Sequence, residues 1–355
     1  MELKELNIGN IVIKYPIIQG GMGVGISRGR LAGAVSANGG LGVISTAQIG
    51  YDEPGFEKDQ NQANLGAIRK HVLMAKEISG GKPVGVNIMV ALKNYKAHVK
   101  AAIEAGADII ISGAGLPVHL PEYANGSACK IAPIVSSAKA AKIILQNWLK
   151  KAGRIADFIV VEGPKAGGHL GFKKDQVDSI TDEEYDGEIK HIIETVKEFE
   201  DKGSTKIPVI VAGGIFNHSD ICHAMSLGAS GVQIASRFVA TDECDADIKY
   251  KQAYINATEK DIIIIDSPVG MPGRAIRNKF TDYIKNNRIK PEKCFNCLEK
   301  CNPAEVPYCI TKALTDAVCG DTENGLVFAG ANAGRIKQIV PVHELMEELA
   351  GIRQV

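Results

Sequence analysis

Eight short apolar runs, each separated from the next by a segment of helical length, constrain this chain more than any other feature. They occupy residues 15–22, 41–47, 83–89, 108–114, 130–136, 157–163, 207–213 and 231–236. Nearly continuous, β-branched runs of this kind suit parallel strands buried on both faces. Between them lie helical candidates at 29–38, 66–79, 93–105, 137–151, 188–202 and 219–227, several of which stop at a glycine. Eight strand–helix units predict an α/β fold of the (β/α)8 TIM-barrel type. A doubly wound sheet is the alternative. It would more usually carry a dinucleotide fingerprint after its first strand, with an acidic residue about 20 positions on. Gly20-Gly21-Met22-Gly23-Val24-Gly25 is glycine-rich but does not give that spacing into a helix.

The chain has 355 residues, ample for a full core, and 41 basic residues balance 41 acidic ones. With no net field to attract phosphate backbones or anionic lipid, nucleic acid and membrane partners are not expected. Residues 1–15 show neither a basic n-region nor an apolar h-region, and no run approaches the length of a membrane span. The expectation is a cytoplasmic protein whose eight cysteines are reduced thiols or ligands. Plentiful glycine and few aromatics fit many tight strand-to-helix turns.

After the eighth strand the chain does not close at once. Residues 241–260 read as a polar helix, and 261–278 contain an apolar strand-like run followed by Pro268-Val269-Gly270-Met271-Pro272-Gly273-Arg274. A cysteine-bearing segment at 293–312, a small-residue loop at 329–334 and a terminal helix near 342–349 follow. The expected organisation is a barrel over 1–240, an added smaller subdomain over 241–321, and a loop and helix over 322–355 that return to the barrel. The middle stretch has few large apolar residues from which to build a core of its own.

The chemistry is expected at the strand ends. Ala166-Gly167-Gly168-His169-Leu170-Gly171 follows the sixth run and sets one imidazole on permissive backbone, where a flat ligand can approach closely. A capping or core histidine in a tight turn is the competing reading. The seventh and eighth strands end in Ala212-Gly213-Gly214-Ile215 and Gln233-Ile234-Ala235-Ser236-Arg237-Phe238. In barrels the loops after these two strands commonly bind phosphate through backbone amides. A monophosphate cofactor follows, and a flavin ring there would lie toward residues 19–25 of strand one. Asn87, a polar residue in an apolar strand, can donate to and accept from a pyrimidine edge, or it is a plain strand-end residue. A barrel that binds a phosphorylated ligand without redox chemistry, such as an isomerase, stays open at this point. Arg274 and Arg277 either cover a cofactor or carrier phosphate or belong to a solvated loop.

Cys294, Cys297, Cys301 and Cys309 form the spacing C-x2-C-x3-C-x7-C. That is dense enough to ligate zinc or an iron–sulfur cluster, and equally compatible with reduced thiols that pack in a compact segment.

Pro16-Ile17-Ile18-Gln19-Gly20-Gly21-Met22, the Ala-Gly-Gly-His segment, residues 212–215 and residues 231–238 together resemble the nitronate monooxygenase family. The similarity spans residues 15–240, with a later element at 329–336. The resemblance implies an FMN-bearing barrel, an oxidoreductase that acts on alkyl nitronates, and His169 as the catalytic residue, either as base for a neutral nitroalkane or as hydrogen-bond partner to the nitro oxygens. It implies that Gly21, Met22, Gly23 and Asn87 contact the flavin, with Gly168 and Gln233 beside them, and that Gly213, Gly214, Ala235 and Ser236 hold its phosphate. The same family includes a flavin-dependent enoyl-acyl-carrier-protein reductase, so NAD(P)H and an acyl carrier are the partners under the alternative. Two departures stand out: Ser136-Ser137 where members often carry a lysine, and Ala331-Asn332 where related loops often have Gln-Gly.

Overall fold

The computed structural model describes residues 3–203 and 205–353; Met1 and Glu2 of the amino-terminal segment, and Gln354 and Val355 of the carboxy-terminal one, lie outside the described residues. All eight apolar runs form strands of one parallel sheet. In chain order these are Ile17–Gln19, Gly42–Ser45, Val84–Met89, Ile109–Gly113, Lys130–Val135, Ile159–Glu162, Val209–Ala212 and Gly231–Ile234. Strand eight pairs with strand one, neighbours pair in order from strand two to strand eight, and a parallel bridge between Ile18 and Leu41 joins strands one and two. The sheet thereby closes into a TIM barrel.

Alternation along each strand sends side chains to two separate cores. Ile18, Val43, Ile109, Ile111, Val160 and Ile210 fill the barrel interior, while Ile17, Ile44, Val86, Ile110 and Val161 face the surrounding helices. Each such side chain taken out of water contributes about 1.5–3 kcal/mol. An antiparallel hairpin, Leu6–Ile8 with Ile11–Ile13, adds Leu6, Ile8 and Ile13 to the interior cluster beside Phe158. It covers the end of the barrel where the strands begin, leaving the other end open.

Helix boundaries depart from the apolar pattern where capping decides them. The helix expected at 66–79 runs Gln60–Ile78, because the Asp59 carboxylate accepts from the Gln62 amide at 3.0 Å. Likewise Asp182–Gly203 starts well before residue 188. Thr181 and Glu184 form a reciprocal cap there, each side chain accepting from the other's backbone amide (3.2 and 2.9 Å). The polar helix expected at 241–260 is shorter, Ile248–Asn256, and begins at the Asp247 cap.

Beyond the barrel, strands Ile262–Asp266 and Pro272–Ile276 pair antiparallel, and a third short strand, Gly168–His169, joins them. The loop after barrel strand six is thus sewn into a sheet supplied by residues a hundred positions downstream. Ile265, Ala275, Phe280, Tyr308, Ile310, Ala313 and Leu326 form a small core beneath that sheet. The terminal helix, Val342–Leu349, packs its buried Val342, Leu345, Met346 and Leu349 into the helix-side core of the barrel. Among the described residues no helix is long and apolar enough to cross a membrane.

Candidate active site

The open end of the barrel holds a cavity of about 230 Å³. All eleven residues singled out from the sequence line it: Gly21, Met22, Gly23, Asn87, Gly168, His169, Gly213, Gly214, Gln233, Ala235 and Ser236. The topology explains their convergence. Asn87 is on strand three, Gln233 on strand eight, and the others follow strands one, six, seven and eight at the same end of the barrel. Gln19 does not reach the cavity. It is fully buried, accepts from the Val43 amide at 3.1 Å and donates to the Gly20 carbonyl.

Close approach rather than flexibility accounts for Gly21: a Cβ there would stand 2.4 Å from the Asn87 Cβ. Gly213 and Gly214 both have positive φ (93° and 87°), so the loop after strand seven turns within two residues. The glycines around His169 serve a different purpose from the one their sequence suggests. A Cβ on Gly167 would lie 2.6 Å from the backbone of Ala329 and Gly330, so the clearance is filled by the chain itself. Gly168 is needed for its φ of 74°.

His169 is fixed by partners that sequence proximity does not reveal. Its Nε2 is 2.7 Å from the Ser267 hydroxyl, and its ring meets Phe328 edge-on at 4.9 Å. Burial pushes the imidazole down to about 4, so it is neutral at neutral pH. Glu162, the last residue of strand six, also faces the cavity, and desolvation pushes its carboxyl up to about 7. Asn87, Gln233 and Glu162 have no side-chain hydrogen-bond partner among the described residues, which leaves several polar groups aimed into one cavity.

Sequence reasoning missed Glu162, Lys165, Phe328 and Ser267. Glu162 was readable: a carboxylate closing an otherwise apolar strand is as conspicuous as Asn87 on strand three. Lys165, on the rim, is ion-paired with Asp182 at 2.6 Å. Asn332, noted only as a departure, lines the cavity and donates to the Gly214 carbonyl at 2.6 Å, tying the carboxy-terminal loop to the loop after strand seven. Ser136 and Ser137 stand apart from it: Ser136 donates to the Gly171 carbonyl and Ser137 caps the helix Ala138–Ala152. Arg274 is not a phosphate ligand in this arrangement. It is buried and donates to the carbonyls of Pro164 and Ala166 at 2.6 and 2.8 Å, bracing the loop that carries His169. Arg277 is exposed and lies outside the cavity.

Known proteins resemble this chain along most of its length. Residues 4–351 match the family described as nitronate monooxygenase. A probable nitronate monooxygenase of Staphylococcus saprophyticus is 27% identical over 301 residues, covering 79% of this chain and 80% of that protein. A Mycobacterium tuberculosis protein named (3aS,4S,5R,7aS)-5-hydroxy-7a-methyl-1-oxo-octahydro-1H-indene-4-carboxyl-CoA dehydrogenase is 25% identical, covering 78% and 67%. Among solved structures, FabK from Thermotoga maritima superposes with a TM-score of 0.72 at 28% identity, covering 96% of this chain and 92% of that one. The nitroalkane oxidase of Streptomyces ansochromogenes shares the fold at 18% identity and a TM-score of 0.70, covering 95% and 94%. With a family match along nearly its whole length, this chain is a member of the nitronate monooxygenase family of oxidoreductases.

Proposed function

We propose that this protein is an FMN-dependent oxidoreductase that oxidises small alkyl nitronates, with His169 as the residue that meets the substrate. The observation that carries the reading is a neutral imidazole, anchored through Ser267, at a cavity where Asn87, Gln233 and Glu162 have no side-chain hydrogen-bond partner among the described residues. The residues present fit a flavin. Gly20, Gly21 and Gly23 leave bare backbone along one wall, where a Cβ would meet Gln233, Asn87, and Ala47 or Ser45, respectively. The free carboxamide of Asn87 suits a pyrimidine edge. Gly213, Gly214, Ala235 and Ser236 are the residues that would hold the phosphate. The Ser236 hydroxyl accepts from the Gly330 amide at 2.9 Å, which ties the carboxy-terminal loop to the turn after strand eight.

Bound there, the flavin supplies the electron acceptor that the protein itself lacks. The protein contributes position and charge. A nitronate is already an anion, so no strong base is required of His169. An imidazole held near 4 by burial suits hydrogen bonding to the nitro oxygens better than removing a proton from a neutral nitroalkane. Phe328 and the bracing of loop 164–166 by Arg274 fix the ring's orientation. Within the same reading we place the protein in the cytoplasm and divide it into a barrel (1–240), an added segment (241–321) and a returning tail (322–355).

A second reading, an NAD(P)H-dependent reductase of enoyl thioesters on an acyl carrier, draws support from the likeness to FabK, which exceeds in identity that to the nitroalkane oxidase. Anaerobic mixing separates the two. Bleaching of the 450 nm absorbance by propyl nitronate, with none by NADH or NADPH, is the expected result. Bleaching by a nicotinamide nucleotide alone would transfer the assignment to the reductase, and a colourless protein that retains no FMN would remove both.

A further inference from the structure

Between the helices Lys279–Ile284 and Ile310–Val318, residues 285–309 contain no helix or strand; their one ladder contact is the bridge from Leu298 to Leu92. Irregular stretches of this length are uncommon inside a compact protein and need something to hold them. Apolar burial supplies little, since most of the segment is exposed or half-buried and only Val306 and Tyr308 are buried. Yet the segment has a definite path against the barrel. The Lys93 amide donates to the Cys297 carbonyl at 3.1 Å, and the Glu299 amide to the Ala91 carbonyl at 3.0 Å.

Four of the eight cysteines lie on this segment, and all four, Cys294, Cys297, Cys301 and Cys309, line one cavity of about 40 Å³. All are free thiols. The loop between the first two is bent as a ligand loop must be: Asn296 has a φ of 50°, and its amide donates to the Cys294 sulfur at 3.3 Å. Cys309 occupies the N-cap of Ile310–Val318, so the last of the four sulfurs is fixed to the start of a regular helix.

A single tetrahedral ion with metal–sulfur bonds of about 2.3 Å draws its ligand sulfurs to within about 4 Å of one another. Among the described residues no three His, Cys, Asp or Glu side chains are grouped so as to hold a metal ion. The cavity is also larger than one ion needs, since a water occupies roughly 10–15 Å³ by this measure. Four cysteines lining one cavity of that size suit a polynuclear core, which would draw the thiolates in around it. We propose that Cys294, Cys297, Cys301 and Cys309 ligate an iron–sulfur cluster, each thiol releasing its proton on ligation. The cluster is the staple of segment 285–309. It lies beside the main cavity: Leu314, five residues along the helix that Cys309 caps and hence about 7–8 Å along its axis, lines that cavity.

The test is chemical and independent of the reaction catalysed. Full-length protein isolated without oxygen, or incubated with ferrous iron and sulfide and then desalted, is analysed for iron and acid-labile sulfide. Equal amounts of both, at roughly two to four per chain, are expected. Cys301→Ser should lower that content at least two-fold, whereas Cys319→Ser, outside the cavity, should leave it unchanged. Absence of iron and sulfide from the wild-type protein, one zinc per chain without sulfide, or full iron content in the Cys301→Ser protein would each overturn the assignment. The wild-type measurement stands even if the Cys301→Ser variant does not fold.

Discussion

The Ser267 hydroxyl lies 2.7 Å from His169 Nε2, although 98 residues separate the two in the chain. The strand pairing of Gly168–His169 with Pro272–Ile276 brings them together. Ser267 is itself nearly buried and in reach of the Tyr308 hydroxyl, so the imidazole is held from the side of the added segment. Ser267→Ala is expected to retain flavin and fold but to lower kcat roughly ten-fold or more, by loosening the ring and freeing its tautomer. Anaerobic stopped-flow reduction by nitronate measures this; an unchanged rate would mean that the bond holds the loop and not the chemistry.

Removing the imidazole altogether should cost more. His169→Ala is expected to keep FMN, since no phosphate- or ring-facing backbone moves, and to lose about 10²–10⁴ in turnover. The flavin content and the single-turnover rate, read on the same sample, separate a binding defect from a chemical one.

Gly21→Ala acts on the cofactor instead. The added methyl would stand 2.4 Å from the Asn87 Cβ, a contact that only displacement of strand-end backbone relieves. Overpacking of this kind typically costs about 1–3 kcal/mol. We expect a folded barrel with weakened FMN retention, measured as flavin released on gel filtration. Full retention would place the ring elsewhere in the cavity.

The strands were legible because parallel barrel strands are buried on both faces and so appear as unbroken apolar runs. All eight were read with their correct order around the site. The eleven residues at their ends were legible for the same reason, since knowing the strand fixes which end of it faces the open mouth. What escaped was set by contacts distant in sequence. Ser267 carries no periodic signal that points to His169. The clearance at Gly167 suggests a ligand until the backbone of Ala329–Gly330 is seen to occupy it. Helix starts at Gln60 and Asp182 were hidden because caps, not apolar residues, define them.

Glu162 makes the activity depend on pH in a defined direction. Its carboxyl, pushed up to about 7, is neutral below that pH and places a negative charge in the cavity above it. An anionic nitronate is then repelled, so kcat/KM should fall as pH rises through about 7. Glu162→Gln, neutral throughout, should flatten the alkaline limb. A limb that persists in the variant would assign the titration to another group.

Acid stability should follow from two buried histidines and from the half-buried His169. His71, His98 and His169 are each held down to about 4 in the folded protein by burial, against an ordinary value of 6.5. Between those values the unfolded chain binds protons that the folded one does not, so stability is fully present above 6.5 and is lost as pH falls toward 4. Glu162 acts in the opposite sense over pH 4.5–7, because its folded carboxyl keeps a proton that the unfolded one releases. Near pH 5.5 unfolding therefore takes up three protons at the histidines and releases one at Glu162, a net gain of two among these groups. The urea midpoint should thus drop between pH 7 and pH 5. In Glu162→Gln the drop should be steeper, because the compensating proton release is gone; an equal slope in both proteins would show that the carboxyl is already ionised in the fold.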